Sequence, residues 1–285
     1  MFLNLKVILS RKGFDSKNGG YPSPILPNGK MISLPIPSDD FLGYSDLKLN
    51  YRGYKTYYDL MIDLKPNIKN GNMSIKLTRD TKCHCDPDIN RSILDRKPGW
   101  RPIFGQVNSA QTHLKNQGVK EGDLFLFFGF FKEVIEHNGK VKFKPKAREI
   151  HAIFGFLQIG QIIERPNKNV IEWINYHPHV SREALRNRDN NTLYIATEKL
   201  SFNNKIPGAG TLKFSKNLVL TKDGYSKSRW SLPDFFRNVK ISYHDHSSWK
   251  EEYFQSAMKG QEFVIEDNME IENWAKRLIS ENFLQ

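Results

Sequence analysis

Two stretches in the middle of the chain decide its architecture: GDLFLFFGFFKEVI at 122–135 and HAIFGFLQIGQII at 151–163. Each is dense in aromatic and β-branched residues and long enough to run through a sheet, as buried strands are. Between them, His137-Asn138-Gly139-Lys140 has the composition of a tight hairpin turn, because Asn and Gly accept the left-handed backbone such turns require. Gly155 and Gly160 interrupt the second stretch at positions where a strand would bend or bulge. The pair therefore predicts two long antiparallel strands and a small β-barrel around them.

Working outward, Leu5 to Leu9 reads as a buried strand that empties into the polar turn SRKGFDSKNGG. YPSPILPNGKMISLPIP at 21–37 holds five prolines around Asn28-Gly29 and reads as an ordered, hairpin-like excursion. Residues 54–64 repeat Tyr57, Leu60, Met61 and Leu64 at helical spacing and stop before Pro66. A second short helix is predicted from Ser109 to Gln117, closed by Gly118. NTLYIATEKL at 191–200 and TLKFS at 211–215 add strands, and SLPDFF reads as a turn and short helix. Near the C-terminus, Ile271, Trp274, Ala275, Leu278 and Ile279 line one helical face, with Asp267 and Glu270 resembling a capping box. The fold class expected is α+β: a β-rich body with a small barrel, peripheral helices and an amphipathic C-terminal helix. No composition shift cuts the chain sharply, so residues 1–285 are expected to form one intertwined domain. The best sub-boundary lies near 120, between a Pro/Gly-rich 1–120 carrying the active site and a β-rich 121–285.

The 285 residues carry 43 Lys+Arg against 31 Asp+Glu, a net charge of +12, and the sequence pI is about 9.5. At 39% hydrophobic the chain can bury a sizeable core, which excludes wholesale disorder. The positive charge points to a polyanion. It gathers in 65–101, a basic loop region of little periodicity, along Lys140, Lys142, Lys144 and Lys146, and in Arg182, Arg186 and Arg188; residues 262–285 are acidic instead. Cys83 and Cys85 stand too close together for an ordinary disulfide, consistent with a reducing compartment. The N-terminal apolar run is short and interrupted by Asn4 and Lys6, so no signal peptide is expected. No apolar run approaches the ~20 residues of a membrane span. A soluble, cytoplasmic protein with no membrane partner is expected.

Several groups could carry chemistry. Arg11, Lys12 and Asp15 sit on the turn after the first strand, where Arg and Lys could hold phosphate and Asp15 could act as a base. CHCDPD at 83–88 is the densest cluster. In an extended segment His84, Asp86 and Asp88 share one face and could supply acid/base groups or hold a divalent metal; the alternative is an Asp-Pro turn. Structural zinc is disfavoured, since no second CxxC or HxxxH follows. Trp100 and Arg101 in RKPGWRP could stack on bases and pair with phosphates, and Gln106 could read a base edge. Trp100 equally suits a core position. The four alternating lysines could form a phosphate track or a solvated edge that resists aggregation. His177 and His179, flanking Pro178, read as hydrogen-bonded fixtures in preference to ligands. No P-loop is present.

Taken in order, SRKGFDS, GGYPSPILPNG, SLPIP, HCDPD, PGWRPIFGQ, GDLFLFFGFF, HAIFGFLQIG, HPHV, NNTLYIA, GAGTLKFS and GQEFVIE resemble the third nucleotide-modification-associated domain family of bacteria and their mobile elements. The resemblance spans almost the whole chain and implies an association with DNA base modification, without supplying a reaction. Its polar motifs fall here on Arg11, Lys12, Asp15, His84, Asp86, Asp88 and Gln106. Residues 120–165 are also similar to the core of PUA-like domains, small barrels that include readers of modified bases. The implied function is a DNA-directed protein that recognises or processes a nucleobase, with a modified one favoured, in bacterial or phage DNA. Two alternatives stand beside it: a non-catalytic PUA-like reader that delivers a partner enzyme of DNA modification, and a metal-dependent nuclease in phage defence. DNA is favoured over RNA as the partner, and the cofactor is undefined apart from a divalent metal on the HCDPD side chains.

Overall fold

The two long apolar stretches become antiparallel neighbours at the centre of a nine-stranded sheet. The structure is a computed structural model that describes residues 5–167, 169, 172–258 and 260–284. The strands are β1 (Val7–Arg11), β2 (Ser23–Ile25), β3 (Ile103–Gln106), β4 (Leu124–His137), β5 (Lys140–Phe143), β6 (Ile150–Glu164), β7 (Thr192–Ala196), β8 (Ala209–Thr211) and β9 (Glu262–Val264). Their main order is β9-β1-β4-β6-β7-β3, with β2 and β5 attached to β4 and β8 attached to β6. Strands β1 and β2 run parallel to β4; the other pairings are antiparallel.

Both glycines singled out in the second stretch lie at register shifts. One shift falls between Ile153 and Gly155 against β4, the other between Ile159 and Gln161 against β7. A Cβ on Gly155 would stand 2.3 Å from Cδ1 of Ile89, so the position admits no side chain without repacking. Asn138 and Gly139, at φ 51° and 73°, make the predicted turn between β4 and β5.

The small barrel does not form. Residues 120–165 supply the two central strands of a larger curled sheet, and no closed barrel is present among the described residues. The curl is nevertheless pronounced, because side chains of the two outermost strands touch: Gln106 Nε2 on β3 donates to Glu262 Oε1 on β9 at 2.7 Å. Inside it pack Phe104, Phe125, Phe127 and Tyr194, with ring centroids 5.0–5.8 Å apart. Each such buried aromatic contributes on the order of 1.5–3 kcal/mol.

The predicted helices form, with shifted starts. Tyr54–Thr56 pairs as a short strand with Lys48–Tyr51, so the helix begins at Tyr57, where Thr56 and Asp59 close a reciprocal capping box. The terminal helix Met269–Asn282 buries Ile271, Trp274, Ala275, Leu278 and Ile279 as its spacing requires. Its cap is Asn268, which accepts from the backbone of Glu270 and Ile271, and not the Asp267/Glu270 box. The basic stretch 65–101 is more ordered than its composition suggests, since Asn67–Asn70 and Met73–Lys76 form a hairpin. A second apolar cluster unites Phe14, Tyr21, Tyr44, Tyr57, Met61 and both cysteines. Cys83 and Cys85 are fully enclosed there as free thiols, which behave as small hydrophobes. The main core draws on Val7 to Leu9 and Phe104 as well as on the strands after residue 120. No helix among the described residues is long and apolar enough to cross a membrane.

Candidate functional site

Because Cys83 and Cys85 face the core, alternation turns His84 and Asp86 the other way. The segment is held against the SLPIP stretch: His84 N–H donates to Ile36 O at 2.8 Å, and Cys83 N–H to Leu42 O at 2.9 Å. His177 and His179 come from the far side of the sequence. His177 is the N-cap of a one-turn helix, Pro178–Ser181, whose first residue is the proline that suits that position. Three imidazole side chains thus meet around one carboxylate.

Asp86 is that carboxylate, with a side chain only 5% exposed. Its Oδ1 accepts from Gly105 N–H at 2.9 Å and lies 3.2 Å from His177 Nε2. Its Oδ2 lies 3.9 Å from both His84 Nε2 and His179 Nε2. The outer nitrogens of those two rings are also held. His84 Nδ1 is 2.7 Å from Asp40 Oδ2, and His179 Nδ1 is 2.6 Å from Asn191 Oδ1. Partners fix the tautomers. The Asp40 carboxylate only accepts, so His84 Nδ1 carries the hydrogen. Asn191 donates its own Nδ2 to His179 O at 2.7 Å, which leaves its Oδ1 to accept from His179 Nδ1. His177 Nδ1 accepts the His179 backbone N–H, so its Nε2 is the donor toward Asp86. Consequently His84 and His179 each turn Nε2 toward Asp86 Oδ2.

Burial by itself would raise the Asp86 carboxyl, but the His177 hydrogen bond and the surrounding imidazoles outweigh it and hold the group below the usual carboxylate range. Burial pushes His179 down to about 3 against the opposing pull of Asp86, so its ring is neutral. Asp40 is also held low: burial opposes, while His84, Ser38 and Arg182 more than compensate. One ligand atom from each of His84, Asp86 and His179 lies within 4.8 Å of the others, a grouping able to hold a metal ion.

Asp88 does not join them. The chain turns at Asp86–Pro87, a cis peptide, and Asp88 pairs through its backbone with Ile103. Its carboxylate receives both Arg96 terminal nitrogens at 2.6 and 2.7 Å, and the Tyr176 hydroxyl. Arg96 in turn lies 3.9 Å over the Trp100 ring, whose Nε1 donates to Tyr176. Trp100 is a buried strut of this network, the core alternative left open for it. Asp88 anchors the start of β3 through Ile103 and the Tyr176-His177 segment through the Tyr176 hydroxyl, instead of sharing a face with Asp86.

The charged groups of the first turn are engaged away from the centre, although Gly13 lines the same small cavity as Asp86. Asp15 is exposed and accepts from the backbone N–H of Lys17 and Asn18, capping its own turn. Arg11 donates to the carbonyls of Met258 and Gly260, and Lys12 pairs at 2.7 Å with the buried Glu262. Internal partners therefore hold the groups expected to grip phosphate. The Gln106 amide is likewise engaged at both ends, by Glu262 and by Val107 N–H, leaving no free edge for a base. Lys140, Lys142, Lys144 and Lys146 are all exposed, but only the first two lie in β5, and Lys140 and Lys144 pair with Asp63 and Glu133.

A further concentration of positive charge lies elsewhere, part of it already paired, Arg96 with Asp88 and Lys97 with Glu172. A groove of about 980 Å³ is lined by Lys30, Arg91, Arg96, Lys97, Arg101 and Lys199, against the single carboxylate of Glu198. At its walls Arg101 Nε and Thr197 Oγ1 are buried without partners. Ile89, Asn90 and Thr211 line both this groove and a small cavity that Asp86 also lines. Of the residues expected to contact nucleic acid, Trp100 and Arg101 line this groove, Arg101 with a donor still unsatisfied.

Fold and site together define a strand-rich α/β protein in which distant loops assemble a buried histidine–carboxylate centre beside a cationic groove. The chain belongs to the nucleotide modification associated domain 3 family, whose model matches residues 6–266. No curated protein and no solved structure matches it significantly. His177 and His179 are the residues of this centre that sequence reasoning set aside; their appearance in HPHV, one of the stretches carrying the family resemblance, was the available signal.

Proposed function

We propose that the protein processes a nucleobase in DNA, with His84, Asp86 and His179 as its reactive centre and the Lys30–Arg91–Arg101–Lys199 groove as the track for the phosphodiester backbone. The observation that carries this reading is the buried Asp86, which faces the Nε2 atoms of His84 and His179 and also lines a small cavity sharing Ile89, Asn90 and Thr211 with a groove of six cations and one acid. A buried group of this kind is suited to activating water or substrate, and the groove to holding a polyanion while it does so. Family membership places the chain in a nucleotide-modification context and supports a base as the target. The test is two-part. DNA affinity should fall steeply with salt, and nucleosides from treated DNA, analysed by mass spectrometry, should differ between wild type and Asp86→Asn. Tight binding without a salt slope removes the groove; identical nucleoside profiles remove the reaction.

A second reading, a non-catalytic reader that delivers a partner enzyme, is favoured by a separate cleft of about 910 Å³. Phe41, 71% exposed, stands at it with Trp173 and Tyr176, offering faces on which a base could stack. Binding to modified DNA with no change in its nucleosides would select it.

A further inference from the structure

We propose that His84, Asp86 and His179 bind one divalent first-row transition-metal ion as a two-histidine, one-carboxylate centre with coordination positions left open to substrate. The proposal concerns the same centre as the proposed function and does not depend on what the substrate is.

Three potential ligand atoms converge here, one each from His84, Asp86 and His179, all within 4.8 Å of one another. The hydrogen-bond partners hold the outer nitrogens of His84 and His179, toward Asp40 and Asn191, and turn both Nε2 atoms toward Asp86 Oδ2, each at 3.9 Å. Metal–nitrogen and metal–oxygen distances of about 2.0–2.2 Å with tetrahedral angles put ligand atoms roughly 3.4 Å apart, so each imidazole nitrogen needs to close on Asp86 Oδ2 by about half an ångström.

The surroundings match those of a metal site. Histidine ligands ordinarily donate their second nitrogen to a carboxylate or carbonyl, which fixes the ring and its tautomer. Asp40 does this for His84, and the Asn191 amide oxygen does it for His179. Arg182 lies 3.6 Å from Asp40 and steadies it. His177 and Gly105 N–H hold Asp86 Oδ1, leaving Oδ2 for the ion, which makes His177 a positioning residue.

The donor set narrows the ion. Two imidazoles with one carboxylate suit iron(II), cobalt(II) or zinc(II) and disfavour calcium and magnesium, which take oxygen. Neither thiol contributes, because Cys83 and Cys85 face the core. Three protein ligands are the catalytic pattern; structural sites close with four.

The test is titration of chelator-treated full-length protein with Co(II), followed by visible absorption and metal analysis. One ion per chain with a d–d spectrum of nitrogen coordination is expected. The spectrum should vanish in His84→Ala, a partly exposed position at 19%, and in His179→Ala. Asp40→Asn should weaken binding by about 10-fold or more, as loss of an outer-shell partner does. His246→Ala, on an exposed loop, should leave the spectrum unchanged. If His179→Ala does not fold, His84→Ala and Asp40→Asn decide. Absence of saturable Co(II) binding by the wild type, or an unchanged spectrum in folded His84→Ala, overturns the proposal. Metal binding with an unaltered nucleoside profile would instead leave the centre standing and remove the base-processing reading.

Discussion

Gly105 offers a sharp perturbation of the centre because it contributes no side chain to it. An ideal Cβ at this position would stand 2.4 Å from His179 Cδ2, 2.5 Å from Cγ and 2.8 Å from Nε2. Ordinary carbon contacts lie at about 3.5–4.0 Å, so in Gly105→Ala the ring must retreat by about 1 Å. It has little room, being 3% exposed and tied through Nδ1 to Asn191 at 2.6 Å. Overpacking of this kind costs about 1–3 kcal/mol, and straining the buried hydrogen bond adds roughly 1 kcal/mol. The backbone N–H that holds Asp86 Oδ1 survives the substitution, so the damage is confined to His179. Metal sites tolerate only about 0.2 Å in ligand distance, so a 1 Å retreat removes one ligand. Urea denaturation should therefore show a folded protein destabilised by about 2–4 kcal/mol with an unchanged m-value, and Co(II) binding should fall as in His179→Ala. A Gly105→Ala protein within ~0.5 kcal/mol of wild type that binds Co(II) normally would refute the reasoning, for that figure is the ordinary scatter of neutral substitutions.

The Asp88–Arg96 pair is buried on both sides, at 0% and 6% side-chain exposure, so Arg96→Ala should cost about 3–5 kcal/mol in urea by stranding a charge. A loss under about 1 kcal/mol would show that Asp88 is not the anchor described. His151, enclosed and accepting from Trp230 Nε1, is pushed down to about 3, first by burial and then by Arg11 and Lys227. Its folded value lies below the unfolded ~6.5, so the unfolded chain binds the extra proton and stability drains as pH falls from about 6.5 toward 3. Its share of the loss at pH 5 is about 2 kcal/mol, read as the difference between the pH–stability curves of wild type and His151→Gln. Parallel curves would contradict it. In the groove, Arg91→Glu with Lys199→Glu should weaken DNA binding and reduce the slope of log affinity against log salt by roughly 1–2, while Asp15→Ala changes neither. Equal slopes in wild type and the double variant would move the phosphate track elsewhere.

What could be read in the chain was local. Leu124 to Ile135 and His151 to Ile163 announce themselves as strands through composition, and Gly155 and Gly160 mark real bulges because only a missing side chain lets neighbours approach so closely. The terminal helix follows from the spacing of five apolar residues. Strict alternation from Cys83 to Asp86 likewise places His84 and Asp86 on one face. It fails at Asp88, since beyond Pro87 the segment pairs with Ile103 and its carboxylate meets an arginine eight residues away. The rest depended on contacts remote in sequence. Nothing near Lys12 foretells a buried partner 250 positions on, or that Gln106 would turn to the same glutamate. HPHV looked like a pair of structural histidines because their carboxylate lies 91 residues earlier. For Trp100 and the lysines of 140–146 the pattern likewise could not show their partners: Trp100 sits in the Arg96–Tyr176 network at the wall of the groove, and Lys140 and Lys144 pair with acids.

The most direct measurement is a mass-spectrometric comparison of nucleosides from the DNA of cells expressing wild-type protein or Asp86→Asn, both shown to be folded and present at equal levels. A nucleoside that appears or disappears with the wild type alone is what the proposed role of the Asp86 centre predicts, with the host supplying whatever co-reactant that chemistry needs. Identical nucleoside profiles, with the wild type bound to DNA, would contradict a base-processing role.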